Sequence, residues 1–312
     1  MTTAADRISC STYAYGYWDL DKALESIARV GYTGVEILTH GVGRPDGVPS
    51  GDTPGGRQTN YHLRPEWPEE RIAATEDLLG RLNLNPICLS PSTDFLAPRG
   101  GSVPADIDEV CRHVDLAARL GVPLVRPFAT NIVPEGMDRD AAIGQIAEAL
   151  RTCGRYAESK GVRLAVENHG QFPGVAENMA DILRTTDHPA VGLTLHIPRP
   201  TAEQLIDTVP NKIWHMHLGA GQPPRAREIR RLRTEGLTRE QIAERLGIGV
   251  QDIREGTLAL GEGPADLAGI VRAVQATGYT GWWNHEGGPE QDPEPTEARS
   301  VAFLRRILLG QG

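Results

Sequence analysis

The stretch KIWHMHLGA, residues 212–220, places two histidines, His215 and His217, at alternate positions of an apolar run. Successive side chains of a β-strand point to opposite faces of the sheet, so the two imidazole rings lie on the same face. If that face lines the inside of a closed sheet, the strand carries polar rings toward a common point. The stretch therefore predicts a buried strand that ends at a polar site.

Short apolar runs of this kind alternate along the chain with amphipathic helical segments. The first helical segment, DLDKALESIARVG (residues 19–31), has an apolar stripe at helical spacing and ends at Gly31, a typical helix terminator. The predicted strands lie in RISCSTYA (7–14), TGVEIL (33–38), LNPICLS (84–90), GVPLVRPFA (121–129), GVRLAVEN (161–168), AVGLTLHI (190–197), KIWHMHLG (212–219) and TGWWNHEG (280–287).

Eight strands that alternate with eight helices are typical of a parallel α/β fold. The count favours a closed (β/α)8 TIM barrel, built as a single domain over residues 1–312, rather than an open doubly wound sheet. An open nucleotide-binding sheet is disfavoured because no GxGxxG follows the first strand and no GxxxxGK[ST] motif occurs.

The composition excludes several other classes of protein. The chain has 312 residues, of which 39% are hydrophobic, and a net charge of −9 that gives no general attraction to nucleic acid or acidic membranes. The four cysteines form no CxxC pair, which argues against a disulfide framework and a sulfur-ligated zinc site. Neither a membrane-spanning apolar run nor a signal-peptide layout is present, so we expect a cytoplasmic protein without a membrane partner.

Polar side chains stand where the later strands end, which is where a TIM barrel places its active site. The fifth to eighth predicted strands each end in a carboxylate or an imidazole at the same level. Two carboxylates and two imidazoles suit a borderline divalent metal such as Mn, Fe, Co or Zn. The predicted ligands, in strand order, are Glu167, His196, His217 and Glu286.

Two further histidines lie beside these predicted ligands. His169 follows Glu167 by two residues and shares its face, and His215 lies one layer below His217. We interpret both rings as substrate contacts or as hydrogen-bonding partners of the ligands, in preference to plain packing.

Other residues are candidates for binding a substrate. Tyr13 follows the first strand, where its ring could stack on a sugar or simply pack, and Trp282, beneath the end of the eighth strand, is a further candidate substrate contact. Glu36 on the second strand is predicted either to contact substrate or to form a buried ion pair with Arg126. The Gly- and Pro-rich loop 39–67 is a candidate cover for the barrel mouth.

Several stretches resemble, in order, the xylose isomerase-like barrel superfamily of sugar phosphate isomerases/epimerases, which includes inosose dehydratases and tagatose/psicose 3-epimerases. The resemblance implies one divalent metal, bound by Glu, Asp, His and Glu from strands five to eight, at the four positions named above. The stretches are GVEIL (34–38), GVRLAVEN (161–168), VGLTLHI (191–197), WHMHLG (214–219) and LGEGPADLAGIVRAVQATGYTGWW (260–283), followed by Glu286.

The chain departs from this family after strand six. The family usually reads Asp-x-x-His there, whereas this sequence reads His196-Ile-Pro-Arg199. Imidazole is itself a good metal ligand, so metal binding is still expected, with Arg199 in the place of the assisting histidine as a substrate contact. Ala220 also stands where the epimerases often have Glu.

A helical insert is predicted between strands seven and eight, over residues 221–257. Its segment LRTEGLTREQIAERLGIGVQDIRE (232–255) resembles a helix-turn-helix, which would direct Gln251 and Arg254 toward a DNA groove. The alternative is a cover or a dimer contact beside the site. We favour the alternative, because the insert leaves strand seven next to His217.

These observations predict a metal-dependent isomerase or epimerase that removes a proton next to the carbonyl of a sugar, keto-sugar or cyclitol. Glu167 and Glu286 would act both as ligands and as the acid/base pair, with Mn as the expected metal. A lyase, either a dehydratase or a 3-keto-glycoside β-eliminase, is the alternative, and a non-catalytic ligand-sensing or DNA-associated protein ranks below it. The acidic stretch EGGPEQDPEPTE (286–297) argues against a phosphorylated substrate. Homo-oligomerisation is left open.

Overall fold

The computed structural model describes residues 4–39, 62–198, 201–221, 225–250, 253 and 258–311. Eight parallel strands close into a barrel in the order of the chain, which confirms the predicted (β/α)8 TIM barrel. The strands are Ile8–Ser11 (β1), Gly34–Leu38 (β2), Asn85–Ser90 (β3), Leu124–Val125 (β4), Arg163–Glu167 (β5), Val191–Ile197 (β6), Ile213–Leu218 (β7) and Trp283–His285 (β8).

Helices surround the barrel and return the chain to the start of each next strand. They are Leu20–Val30 (α1), Glu69–Leu82 (α2), Val103–Leu120 (α3), Arg139–Ser159 (α4), Ala176–Thr186 (α5), Ala202–Thr208 (α6), Ala226–Thr234 (α7), Arg239–Leu246 (α8), Leu267–Ala276 (α9) and Glu294–Leu308 (α10). None of the described helices is long and apolar enough to cross a membrane.

Helix α1 shows how local sequence sets the bounds of these elements. The Asp19 side chain accepts a hydrogen bond from the backbone N–H of Lys22, which caps the first turn. Gly31 ends the helix at φ 110°, a left-handed conformation that glycine adopts without strain. Between these caps, Leu20, Leu24 and Ile27 are buried in the core.

The amino-terminal end of the barrel is filled by apolar side chains. Trp282 packs against Gly34 and Trp214 against Gly192, where any side chain larger than hydrogen would collide with the indole rings. Both tryptophans pack on an apolar interior layer made of Ile87, Cys88, Leu124 and Ala165. The polar interior therefore begins above this layer, toward the carboxyl ends of the strands.

The insert between β7 and β8 has an apolar cluster of its own. Helix α8 begins with a capping box in which the Thr238 and Gln241 side chains bond each other's backbone N–H groups. Its buried cluster consists of Ile229, Leu232, Ile242, Ala243 and Ile253. Residues Gln251 and Arg254, which the DNA-binding interpretation needs, and residues 40–61 of the predicted cover lie outside the described residues.

Candidate metal centre

The structure brings the four predicted ligands together at the carboxyl ends of β5 to β8. One donor atom from each of Glu167, His196, His217 and Glu286 lies within 4.8 Å of the other three. His196 Nδ1 is 2.7 Å from Glu167 Oε1 and 3.3 Å from Glu286 Oε2. Parallel strand pairing produces this convergence, because it sets His196 directly beside His217.

The orientation of the His217 ring is fixed from below. Its Nε2 lies 2.8 Å from Glu36 Oε2, and since an ionised carboxylate can only accept, this nitrogen donates. The opposite nitrogen, Nδ1, is buried and makes no hydrogen bond to any described residue. It lies 3.3 Å from Glu286 Oε2 and 3.5 Å from Glu167 Oε1, so it faces two carboxylates.

Glu36 is the centre of a fully buried hydrogen-bond network below the ligands. Burial alone would raise the pKa of its carboxyl, but the charge of His217 and the hydrogen bonds from two imidazole rings lower it well below its usual value. Its side chain is fully buried and surrounded by donors, which agrees with the alternative role of a buried ion-pair partner, and the substrate contact stays a prediction. Those donors are Ser90, His215, His217 and Asn284.

His215 belongs to the same buried layer. Its Nε2 donates to Glu36 Oε2 at 2.8 Å, and its side chain is completely buried. This position agrees with the alternative role, a hydrogen-bonding partner behind the ligands, and the substrate contact of His215 stays a prediction.

Arg126 supplies the positive charge of this network. Its guanidinium is buried at the end of β4, stacks 4.1 Å above the Phe128 ring centroid, and places Nη1 3.4 Å from Glu167 Oε2. Its Nε lies 3.9 Å from Glu36 Oε1, which is the ion pair considered as the alternative role of Glu36. Burial would raise the pKa of Glu167, but His217, Arg126 and the His196 hydrogen bond lower it well below its usual value.

The charge of the cluster fits a divalent cation. Three carboxylates, those of Glu36, Glu167 and Glu286, surround one guanidinium, so the cluster carries two net negative charges when its imidazoles are neutral. Burial would lower the pKa of His217, but these three carboxylates raise it well above its usual value. Positive charge is thus favoured next to Nδ1, and a divalent ion bound there would neutralise the buried charges.

The remaining predicted site residues lie in different places. His169 is near the ligands, with its ring centroid 5.0 Å from Phe128 and 6.4 Å from His196. Tyr13 lies in the half-buried 3-10 turn Thr12–Tyr15 that directly follows β1. Arg199 lies outside the described residues. Trp282 lies at the amino-terminal end of the barrel, where it packs on Gly34, and its substrate contact stays a prediction.

A second buried cluster, behind β8, was not predicted. Glu297 of α10 accepts hydrogen bonds from Tyr32 and His285, both at 2.7 Å, and Cys10 Sγ lies 3.4 Å away. Because His285 directly precedes Glu286, these bonds tie the end of β8 to the helix layer. The sequence gives only a weak indication of this cluster, since polar residues that face outward from a strand are also typical of exposed positions.

Comparison with known proteins identifies the family. The sequence profile of the xylose isomerase-like TIM barrel family matches residues 24–307. The chain belongs to this family. The proteins that resemble this chain include both epimerases and dehydratases.

Curated relatives are similar over only part of their length. A 3-dehydroshikimate dehydratase of Pseudomonas putida is 25% identical over 268 residues, which is 84% of this chain and 35% of that protein. An inosose dehydratase of Clostridium beijerinckii is 27% identical over 173 residues, which is 53% of this chain and 52% of that protein. The chain thus spans about a third to a half of these relatives.

Solved structures of xylose isomerase-like TIM barrels share the fold. A D-tagatose 3-epimerase-like protein is 15% identical, with a TM-score of 0.69 over 98% of both chains. A barrel protein from Mycobacterium smegmatis, solved in complex with magnesium, is also 15% identical, with a TM-score of 0.67 over 100% of this chain and 99% of the other.

Proposed function

We propose that the chain is a divalent-metal-dependent enzyme that removes the proton next to the carbonyl group of a neutral sugar, keto-sugar or cyclitol. The observation that carries this proposal is the buried Nδ1 of His217. Glu36 fixes the opposite nitrogen, so Nδ1 is held toward Glu167 and Glu286, where a metal ion would take the place of a proton. An unpartnered nitrogen between two carboxylates is typical of a metal ligand whose orientation is set by an outer carboxylate.

Four residues would hold the metal: Glu167, His196, His217 through Nδ1, and Glu286. A bound divalent ion would supply Lewis-acid chemistry, polarising the carbonyl group and stabilising the negative charge that develops when the proton leaves. The donor set contains two imidazoles, which favours Mn, Fe, Co or Zn, with Mn expected first.

The protein itself would supply the proton transfer. Glu286 follows β8 at the mouth, where its side chain is 15% exposed and can reach a substrate. In an isomerase or epimerase, Glu167 would exchange a proton on the opposite face of the same carbon. His169, Tyr13 and Arg199 would contact the polyhydroxy part of the substrate.

A lyase is the second candidate. The curated relatives named above are a 3-dehydroshikimate dehydratase and an inosose dehydratase, and loss of water from a carbonyl compound begins with the same proton abstraction. We rank a non-catalytic or DNA-associated role lower, because such a role does not explain why four side chains of the kinds that bind metals lie together.

Two measurements test the proposal. Elemental analysis of the purified protein is expected to find about one transition metal per chain, lost in His217→Ala but retained in His188→Ala, a control histidine before β6. The metal-loaded protein is then incubated in deuterated water with D-fructose, D-tagatose, an inosose and 3-dehydroshikimate. Deuterium on the carbon next to the carbonyl of one compound is expected; no exchange in the whole panel by a fully loaded protein contradicts the proposal.

A further inference from the structure

One carboxylate of the helix layer, Glu297, contacts the residues on both sides of Glu286. We infer that Glu297 is a positioning residue: its contacts with His285 and Gly287, together called the clamp, fix where the Glu286 carboxylate stands at the barrel mouth. The inference rests on the proposed function for the role of Glu286. The clamp itself belongs to the protein without metal or substrate, so it can be tested separately.

Strand pairing alone holds Glu286 weakly. Strand β8 has only three residues, Trp283–His285, and Glu286 directly follows it. The pairing of β8 with β1 ends at His285, opposite Cys10. Toward β7, the Glu286 N–H donates to Leu218 O at 2.9 Å. Because a hydrogen bond tolerates a broad range of angles, this contact does not by itself direct the side chain.

On the strand side of Glu286, the clamp is a buried hydrogen bond. Asn284 faces the barrel interior, where it donates to Glu36, so His285 faces the helix layer. Its Nδ1 lies 2.7 Å from Glu297 Oε2, and this nitrogen donates because an ionised carboxylate can only accept. The other ring nitrogen, Nε2, is buried and makes no hydrogen bond to any described residue. The bond to Glu297 therefore holds the ring.

On the far side of Glu286, the clamp is a close packing contact. A Cβ atom at Gly287 would lie 3.0 Å from Glu297 Oε1 and 3.2 Å from His285 Cε1. The backbone thus passes directly over the same carboxylate whose other oxygen binds His285. One side chain of α10 therefore confines the chain immediately before and immediately after Glu286.

Glu297 is itself held in place. It lies in the first turn of α10, and its side chain is 1% exposed. Its Oε2 also accepts a hydrogen bond from the Tyr32 hydroxyl at 2.7 Å, and Cys10 Sγ lies 3.4 Å from it. Tyr32 precedes β2 and Cys10 lies on β1, so the carboxylate is bonded to two further parts of the barrel wall. Moving it would leave several buried donors unpaired, which is costly.

Amide hydrogen exchange on the metal-free protein tests the clamp without any assay of activity. Glu297→Leu keeps the bulk of the side chain but removes the acceptor, so we expect the peptide spanning residues 283–290 to exchange at least about 10-fold faster. His285→Phe removes the donor instead and should give the same result, which provides a second variant if Glu297→Leu does not fold. Glu297→Gln keeps the shape and an acceptor oxygen, and should exchange like the wild type.

Ser300→Ala is the matched control. Ser300 lies one turn further along α10, is fully buried, and accepts a hydrogen bond from Leu260 N at 3.1 Å, outside the clamp. Its loss should destabilise the protein and leave exchange at residues 283–290 unchanged. Unchanged exchange at these residues in both Glu297→Leu and His285→Phe would overturn the inference, and so would equally fast exchange in Ser300→Ala.

Kinetics with saturating Mn²⁺ then tests the positioning role. We expect kcat to fall by about 10²-fold in Glu297→Leu, with little change in KM, because a small displacement of a reacting group costs this much. Glu297→Gln and Ser300→Ala should retain turnover, with circular dichroism confirming that every variant is folded at the assay temperature. Faster exchange with unchanged kcat would overturn the positioning role. A wild type that acts on no compound of the panel would contradict the proposed function, whereas the exchange experiment would still decide the clamp.

Discussion

His196 on β6 and His217 on β7 each place Nδ1 3.3 Å from the same oxygen atom, Oε2 of Glu286. The two residues are direct neighbours across the strand pair, and their ring centroids lie 5.7 Å apart. Two imidazole nitrogens that approach one carboxylate oxygen from adjacent strands would supply three ligands of the proposed metal site. This relationship makes His196, where the chain departs from its family, the most informative residue to change.

We expect His196→Ala to weaken metal binding by more than about 100-fold, because loss of a ligand costs more than loss of an outer partner. His196→Asp should keep binding but shift preference toward harder ions such as Mg²⁺, since it replaces imidazole with carboxylate. Calorimetric titration with Mn²⁺, Zn²⁺ and Mg²⁺ measures both effects. Unchanged affinity in His196→Ala would show that this ring is not a ligand.

Glu286→Gln should lower turnover by about 10²–10⁴-fold, the usual cost of removing an acid/base group. The amide preserves the shape of the side chain but cannot accept a proton. Steady-state kinetics on the substrate found with the panel gives the rate, and circular dichroism checks that the fold is retained. Wild-type turnover in this variant would exclude a catalytic role for Glu286.

Glu36→Gln should weaken metal binding by about 10–100-fold without touching any ligand directly. The amide can still accept hydrogen bonds from His215 and His217. It lacks the negative charge of the carboxylate, however, and that charge fixes the His217 tautomer and makes Nδ1 a stronger metal ligand. The same metal titrations measure the loss. A matched change at a buried carboxylate outside the site, Asp106→Asn, should leave metal binding unchanged; equal losses would contradict the specific role of Glu36.

Deleting residues 224–255 and joining the ends with a Gly-Ser linker should leave the barrel folded, because the insert buries its apolar residues in a cluster of its own. We expect a changed KM or oligomeric state, measured by kinetics and light scattering. The intact protein should show no sequence-specific DNA binding. One tight site recovered from genomic fragments at physiological salt would overturn this expectation, because non-specific contact alone is weak there.

The stability of the protein should fall in acid partly through His62. Burial lowers the pKa of this ring to about 4, from a usual value of 6.5. Above pH 6.5 the ring is neutral in both the folded and the unfolded chain and contributes no pH dependence. Between pH 6.5 and about 4 only the unfolded chain gains the proton, so the free energy of unfolding decreases, by roughly 3 kcal/mol in full.

The His62→Gln variant isolates this contribution. Urea unfolding of both proteins between pH 4.5 and 7.5 should give a flatter pH dependence for His62→Gln than for the wild type. Identical slopes would mean that His62 titrates alike in the folded and unfolded chains. The comparison is needed because other buried groups also titrate in this range.

Sequence alone predicted the barrel and the four converging side chains because both depend on periodicity. Alternation along a strand determines which face a residue lies on, and strand ends determine which end of the barrel it approaches. Alternation does not determine how far along the barrel axis a residue lies. Trp282 shares a face with Glu286 but precedes it by four residues, which places it about 13 Å further down the strand.

The surroundings of Glu36 and His215 also depend on their level in the barrel. Strands of a barrel are staggered, so the level of a residue depends on the register between strands, which a single sequence does not specify. Glu36 on β2 therefore meets His215 and His217 of β7 across the interior, although nothing in their separate motifs predicts that contact.

The two indole rings that pack on Gly34 and Gly192 have a kinetic consequence. They pack across the interior at one end of the barrel, so in the proposed enzyme an ion and a substrate would both enter through the opposite opening. An ion that binds below the substrate then has to arrive first and cannot escape until the organic molecule has gone. We expect compulsory-order kinetics, in which saturating substrate slows the removal of the ion by a chelator.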